Sequence, residues 1–497
     1  MENKLRYDLI VIGTGTAGST AAAMCRSEGW SVAIIDSLPF GGTCALRGCE
    51  PKKVLQEAAK LIDSSKRHEN KGIKESIGMH IQWDELINFK RSFTDAFPIE
   101  REESYNKKGI SAFHGKARFI GQNEVVVENN NNKDHGSDRN HQHDNFLYGN
   151  NILIATGARP RTLNFPGSEY IHTSDQFLEY CKDMLPRKIV FIGGGYISFE
   201  FAHIAAKAGS KVTILQRGKN PLKHFDPDIV SLLLEKSKNM GIDVKLQTEV
   251  KKIDKLQFSH ENYDGSNDDH SNSDIKLVVQ FSSSSSNEVE NPNTISSTIE
   301  ADMVIHGAGR IPNVENLNLE KGGIQYTEKG IKVNEYLQSV SNTSIYGAGD
   351  VADTGGLPLT PVASYEGNIV ASNLIKGNST TANYLGLPSV VFTIPAIASV
   401  GLNEKEAKGQ GLRFRVNYQN TAGRYSSRRV GEACSGFKVL IEENSDRILG
   451  AHLIGPHAEE VINIFSMAIN MGLTTKDLNN PLLYSYPTNS SDIIYML

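Results

Sequence analysis

The chain has 497 residues, is 39% hydrophobic and 22% charged, and carries a net charge of −5. That length suits about two to four domains, and the balance is that of a soluble globular protein. The mild negative charge argues against nucleic acid or an anionic membrane as the main partner.

No apolar run approaches the roughly 18 residues that suggest a membrane span. Met1 to Arg6 lack a signal-peptide pattern, and the five cysteines do not make an extracellular disulfide framework. A cytoplasmic protein with one purposeful cysteine pair is expected, and Cys25, Cys181 and Cys434 read as packed side chains.

In chain order, the first element is a strand, Tyr7 to Ile12, followed by Gly13-Thr14-Gly15-Thr16-Ala17-Gly18, a helix, and the strand Ser31 to Asp36. Glycines in this pattern allow a tight turn, close approach of a pyrophosphate and close packing of helix on strand. The helix N-terminus offers free N–H donors to phosphates. Asp36 stands where a carboxylate binds ribose hydroxyls. Strand, glycine turn, helix and acid in this order predict a dinucleotide site.

Next comes Gly41-Gly42-Thr43-Cys44-Ala45-Leu46-Arg47-Gly48-Cys49-Glu50-Pro51-Lys52-Lys53. Two cysteines here point to a dithiol that exchanges electrons with a flavin. Five residues of regular helix rise about 7.5 Å, whereas a disulfide tolerates Cα separations of roughly 4.4–6.8 Å. If the two pair, the backbone between them cannot be regular helix. Gly48 is the residue best able to absorb the distortion, and Pro51 is placed to open a helix through Lys53 to Ala59. Lys52, Lys53 and Arg47 are charges able to lower a cysteine pKa; Arg47 also reads as a contact for an acidic substrate or as a solvated arginine.

Residues 128–145, and a stretch from about Ser259 to Ser297, are rich in Asn, Ser and Asp and cannot bury enough apolar surface to offset ordering entropy. Strand-like runs flank them, Glu124 to Val127 and Ile275 to Val279, so they read as enlarged hairpin loops. His135, His141 and His143 read as a solvated loop rather than a metal site.

A second strand–turn–helix unit begins at Arg187 and carries Gly193-Gly194-Gly195-Tyr196-Ile197-Ser198. Ser198 replaces the third glycine. Its second strand ends in Gln216-Arg217-Gly218-Lys219. An acid at Gln216 would hold the ribose 2′-hydroxyl of NADH. With that acid absent and Arg217, Lys219 and Lys223 nearby, NADPH is predicted over NADH.

With these motifs in order, the chain resembles the class I pyridine nucleotide–disulfide oxidoreductases, the group of glutathione reductase, dihydrolipoyl dehydrogenase and mercuric reductase. The resemblance extends through Ala155 to Pro160, Gly307 to Asn313, Tyr346 to Asp350, Leu359 to Ala363, and Val391 to Pro395 followed by Val400-Gly401-Leu402. It implies an α/β fold of two Rossmann-like FAD- and NAD(P)-binding domains plus a C-terminal α+β dimerisation domain. The implied boundaries are FAD-binding 1–165 and 304–374, NAD(P)-binding 166–303 and interface 375–497, in a homodimer.

It also implies roles. FAD would be surrounded by Gly13, Gly15, Thr16, Ala17, Gly18, Asp36, Gly42, Thr43, Lys52, Ala117, Thr156, Gly157, Gly349, Asp350 and Thr360. The pyridine nucleotide would meet Gly193, Gly194, Gly195, Ile197, Arg217, Lys223 and Gly309, with Val391 also at the cofactors. Lys52 and Glu200 would pair near the flavin, and Tyr196 would gate it. Cys49 would be the charge-transfer thiolate and Cys44 the interchange thiol that attacks the substrate.

Three departures qualify the resemblance. Disulfide reductases of this group end with a His-Pro-Thr motif whose histidine, given by the other subunit, is the acid–base partner of the dithiol. Here Tyr486-Pro487-Thr488 stands in its place, and Ser491 replaces the accompanying glutamate. Ionising a tyrosine at pH 7 costs roughly 4 kcal/mol, whereas a histidine exchanges protons there at almost no cost. No cysteine follows Cys434, unlike the C-terminal pair of mercuric reductases, which argues against mercuric ion as substrate. The positions that hold glutathione carboxylates align with Ala23-Met24 and Asn368, which supply no guanidinium.

The sequence thus predicts a NADPH-dependent reductase of a small-molecule or protein disulfide. Alternatives are a quinone or electrophile reductase acting at the flavin, a dihydrolipoyl-dehydrogenase-like enzyme, and a flavin-based redox sensor.

Overall fold

The computed structural model describes residues 4–128, 144–180, 182–256, 276–283 and 297–497. The three loop histidines and Cys181 lie outside them. Two compact units are formed. One comprises Met1–Lys53, Phe89–Arg161 and Arg310–Tyr384; the other comprises Val54–Asn88, Thr162–Gly309 and Leu385–Leu497.

The first unit is built on the run Leu5–Ile12, whose last four residues are fully buried. Such a continuous apolar run suits a strand covered on both faces. It pairs in parallel with Val32–Asp36 on one side and Asn145–Ile154 on the other, Val11 lying opposite Ile34 and Leu153. Ser111–His114 and Ile345–Gly347 extend the parallel part. Glu124–Glu128 and Lys116–Gly121 continue it antiparallel. Ala21, Ala22 and Cys25 of the helix Thr16–Ser27 pack on one face with Val370 and Ala371 of the helix Thr360–Lys376.

In the second unit Asp243–Lys245, Lys211–Leu215, Lys188–Ile192 and Met303–His306 form a parallel sheet in that order. The helix Tyr196–Lys207 lies on it, with every residue from Ser198 to Ala205 buried. Thr248–Leu256, Lys276–Ser283 and Ser297–Ala301 make a separate antiparallel ladder. Of the strand read from Ile275 to Val279, the described part begins at Lys276 and runs on to Ser283, so Ser282 and Ser283, read as loop, belong to it. The C-terminal region is an antiparallel sheet in the order Ser389–Val391, Ile397–Gly401, Ile448–Ile454, Gly436–Glu442, Phe414–Asn420. Helix Ala458–Met471 packs on it through Val461, Ile462 and Phe465. No described helix is long and apolar enough to cross a membrane.

Candidate functional site

The first glycine turn fits a dinucleotide. A Cβ on Gly13, whose φ is +112°, would stand 2.3 Å from the Ala155 carbonyl oxygen. A Cβ on Gly18 would stand 2.1 Å from the Gly13 carbonyl oxygen, so helix and strand touch at backbone distance. Beside Gly15 there is open space, next to the free N–H groups of the first turn of the helix Thr16–Ser27. Asp36 ends the second strand, and its carboxylate accepts from Thr14 N at 2.9 Å, Thr14 Oγ1 at 2.6 Å and Leu38 N at 3.0 Å. Thr14, not singled out from the sequence, thus orients the Asp36 carboxylate. The open, Cβ-free first turn fits the pyrophosphate of FAD; Gly157 likewise borders open space, and Ala117 is buried.

Asp350 is held above the usual carboxylate range by burial, against the Arg310 charge. The residue before it, Gly349, donates its N–H to Glu366 at 2.6 Å. Glu366 also accepts from Thr354 Oγ1 at 2.8 Å and Tyr384 O–H at 2.6 Å. A buried carboxylate satisfied this way fixes the Gly349–Asp350 turn. Glu366 carries no sequence signal beyond being an acid inside an apolar helix.

The redox segment is two helices, Gly42–Arg47 and Cys49–Arg67, broken at Gly48. A Cβ at Gly48 would stand 2.8 Å from the Thr43 carbonyl oxygen, so glycine is what lets the chain turn there. The break falls where the cysteine spacing requires it. The second helix starts at Cys49 rather than at Pro51, which sits inside its first turn, where the missing N–H costs nothing. Gly42, at φ +74°, would place a Cβ 2.4 Å from Gly15 Cα. The redox helix therefore docks directly on the first glycine turn.

Cys44 is half-buried and Cys49 exposed, both as free thiols. A side-chain hydrogen bond with Cys44, helped by Thr360 and the Lys52 and Lys53 charges, brings Cys49 down to about 6 against the desolvation of its sulfur by the surrounding protein. The same bond, with burial and the Cys49 charge, pushes Cys44 well above the usual thiol range. Thr360 Oγ1 lies 3.7 Å from the Cys49 sulfur. Lys52 and Lys53, rather than Arg47, are the leading charges on Cys49.

In the second unit, Gly193 has φ +101° and would place a Cβ 2.4 Å from the Gly307 carbonyl oxygen. Gly194 N–H donates to Gln216 Oε1 at 2.7 Å, so the glutamine amide closes the turn at the position where an acid was sought. Ser198, in place of the third glycine, is buried against Gly307, a contact only a small residue permits. Arg217 is 82% exposed on its side chain, 3.8 Å from Glu249. Lys219 and Lys223 are exposed, Gly309 borders open space, and Tyr196 and Ile197 open the helix. Glu200 is buried and accepts from Phe392 N at 2.8 Å, next to buried Val391. Tyr486 is 84% exposed.

The family profile described as pyridine nucleotide-disulphide oxidoreductase matches residues 7–367, and the dimerisation-domain profile of the same family matches 387–496. The chain belongs to this family. A glutathione reductase from Burkholderia cepacia is 30% identical over 499 residues, covering 99% of this chain and 98% of its own. An uncharacterized 19.7 kDa protein in a mercuric resistance operon of Staphylococcus aureus is 51% identical over 181 residues, 36% of this chain and all of its own. The solved Cu(II) complex of the HOCl-induced flavoprotein disulfide reductase RclA from Escherichia coli superposes with a TM-score of 0.81 at 25% identity, covering 99% of each chain. Membership of the pyridine nucleotide-disulphide oxidoreductases makes the chain a flavoprotein oxidoreductase that binds FAD and a pyridine nucleotide.

Proposed function

We propose that the chain is a NADPH-dependent disulfide reductase in which Cys49 is the thiolate facing FAD and Cys44 is the thiol that meets the acceptor. The observation that carries this is the geometry of the redox segment: two helices broken at Gly48 present the two thiols, with Thr360 Oγ1 3.7 Å from the Cys49 sulfur and the Lys52 and Lys53 charges favouring its thiolate. On this reading residues 1–165 and 304–374 hold FAD, 166–303 hold NADPH, and 375–497 form the interface of a homodimer.

FAD held by residues 1–165 and 304–374 would supply a hydride acceptor for the reduced nicotinamide and an electron pair for opening the Cys44–Cys49 disulfide. The chain's own sulfurs do the rest. Cys44 passes its proton to Cys49 and attacks one sulfur of the acceptor disulfide, forming a mixed disulfide and expelling a thiolate that takes the proton from Cys49. Cys49 thiolate then attacks the Cys44 sulfur, re-forming the internal disulfide and expelling the second thiolate. One NADPH and one proton are consumed, and the acceptor leaves as two thiols.

The acceptor is a disulfide other than glutathione disulfide. Asn368 spends its amide on Ser364 O at 3.0 Å, and neither Ala23 nor Met24 binds a carboxylate. Reduction of quinones at the flavin is the second reading, favoured by the exposed tyrosine at the histidine position.

A steady-state screen of disulfides and quinones tests both halves. NADPH is expected to exceed NADH in kcat/KM by about tenfold or more, since the 2′-phosphate gains charge-assisted contacts, and at least one disulfide should turn over. A preference for NADH contradicts the role given to Arg217 and Lys223. Turnover of quinones alone contradicts the dithiol route.

A further inference from the structure

Two titratable residues lie in the buried run Ser198–Ala205 of the helix Tyr196–Lys207: Glu200 and His203. They are three apart, so they share one helix face. Each accepts a backbone N–H from the same segment: Phe392 N reaches Glu200 Oε1 at 2.8 Å and Ile394 N reaches His203 Nδ1 at 3.1 Å. The intervening N–H, on Thr393, turns the other way, to Val391 O at 2.9 Å. The helix thus reads alternate amides of the 391–395 turn with two side chains one turn apart.

The protons follow from the partners. Ile394 N–H only donates, so Nδ1 is unprotonated. Nε2–H then donates to Ser237 Oγ at 3.0 Å, and the Ser237 hydroxyl donates to Leu233 O at 2.7 Å. Every atom in the chain is satisfied in one sense only. The groups facing the ring are Lys207 and Lys236, which oppose its protonation, and Asp63, which favours it and is itself bonded by Lys207. Burial is the largest influence and carries the imidazole down to about 3, so it stays neutral across the working pH range.

We propose that His203 is a positioning residue for cofactor reduction, its neutral Nε2-protonated ring acting with Glu200 to hold the 391–395 turn against the helix that carries Tyr196 and Glu200. This rests on the reading of Glu200 and Val391 as residues of the cofactor site. The Nδ1 acceptor is aimed at the Ile394 amide and so sets the register of the turn.

The test compares His203→Leu, which removes acceptor and donor, with His203→Asn, whose Oδ1 stands near the Nδ1 position and still accepts the amide. Two readouts are used: amide hydrogen exchange across 391–395, and anaerobic stopped-flow reduction of the bound flavin by saturating NADPH. His203→Leu should lose protection at 392–394 and slow flavin reduction by about tenfold or more, as expected of a misplacement near the reacting centre. NADPH affinity should stay within about threefold, because no contact to the nucleotide is removed. His203→Asn should restore both signals.

Equal rates and equal exchange in wild type and His203→Leu overturn the proposal, as does His203→Asn behaving like His203→Leu. Should His203→Leu fail to retain FAD, Ser237→Ala decides: it strips the partner of Nε2–H, and unchanged exchange at Ile394 with an unchanged rate overturns the proposal equally. The wild-type enzyme's choice of disulfide or quinone is measured separately, so a failure of the dithiol reading leaves this result legible.

Discussion

Cys44→Ser is expected to abolish disulfide turnover while leaving reduction of the bound flavin by NADPH intact. A serine hydroxyl does not ionise near neutral pH and does not attack sulfur, so turnover should fall by about 10³-fold or more, a barrier increase of about 4 kcal/mol. Steady-state disulfide reduction and single-turnover flavin reduction, measured side by side, check it. Full disulfide activity in Cys44→Ser would refute the interchange role.

Cys44→Ala extends the test. It removes the hydrogen bond that is the largest influence holding Cys49 down to about 6. The sign is that of a lowered acid: in the wild type the thiolate is present above pH 6 and is lost as pH falls through about 6. In Cys44→Ala the midpoint should rise toward the ordinary thiol value of about 8.5. The long-wavelength absorbance of the thiolate against flavin, followed against pH, reports it directly.

The second large effect is expected from Tyr486→His. A tyrosine is a weak base at pH 7, and general acid–base catalysis typically contributes 10²–10⁴-fold. Restoring an imidazole at this exposed position should raise disulfide turnover at neutral pH by about tenfold or more, with a new pH dependence near 6.5. An unchanged kcat would mean that proton transfer at this position does not limit the reaction. It would leave the Cys44–Cys49 pair as its own proton reservoir.

What the sequence disclosed depends on the range of the physics involved. Both glycine turns, the strands around them and the break at Gly48 follow from local spacing and sterics, and they stand where the pattern put them. The hairpin strands on either side of 129–143 pair antiparallel as expected, although Lys276–Ser283 runs two serines further than composition suggests. Ser198 is tolerated because the glycine it replaces serves packing, not phosphate approach.

The contacts that tune chemistry were less legible. Thr360 was read as a flavin neighbour, yet it lies 3.7 Å from Cys49 across 311 residues of chain, a distance no local pattern spans. Arg47 sits between the cysteines in sequence, but the leading charges on Cys49 come from the helix that follows. His203 was not singled out from the sequence. Only the folded partners, Ile394 and Ser237, reveal why a polar ring is there. Glu366 is the same case in the other unit, a buried acid whose three donors come from Gly349, Thr354 and Tyr384.

The central claim is that electrons leave through the Cys44–Cys49 pair with Cys49 as the thiolate. Anaerobic titration with NADPH at pH 7.5, followed by visible absorbance, tests it most directly. The account predicts that the first equivalent of NADPH produces a long-wavelength charge-transfer band, and that Cys49→Ser lacks it while still binding FAD. Bleaching of the flavin with no such band in the wild type, or an undiminished band in Cys49→Ser, would contradict it.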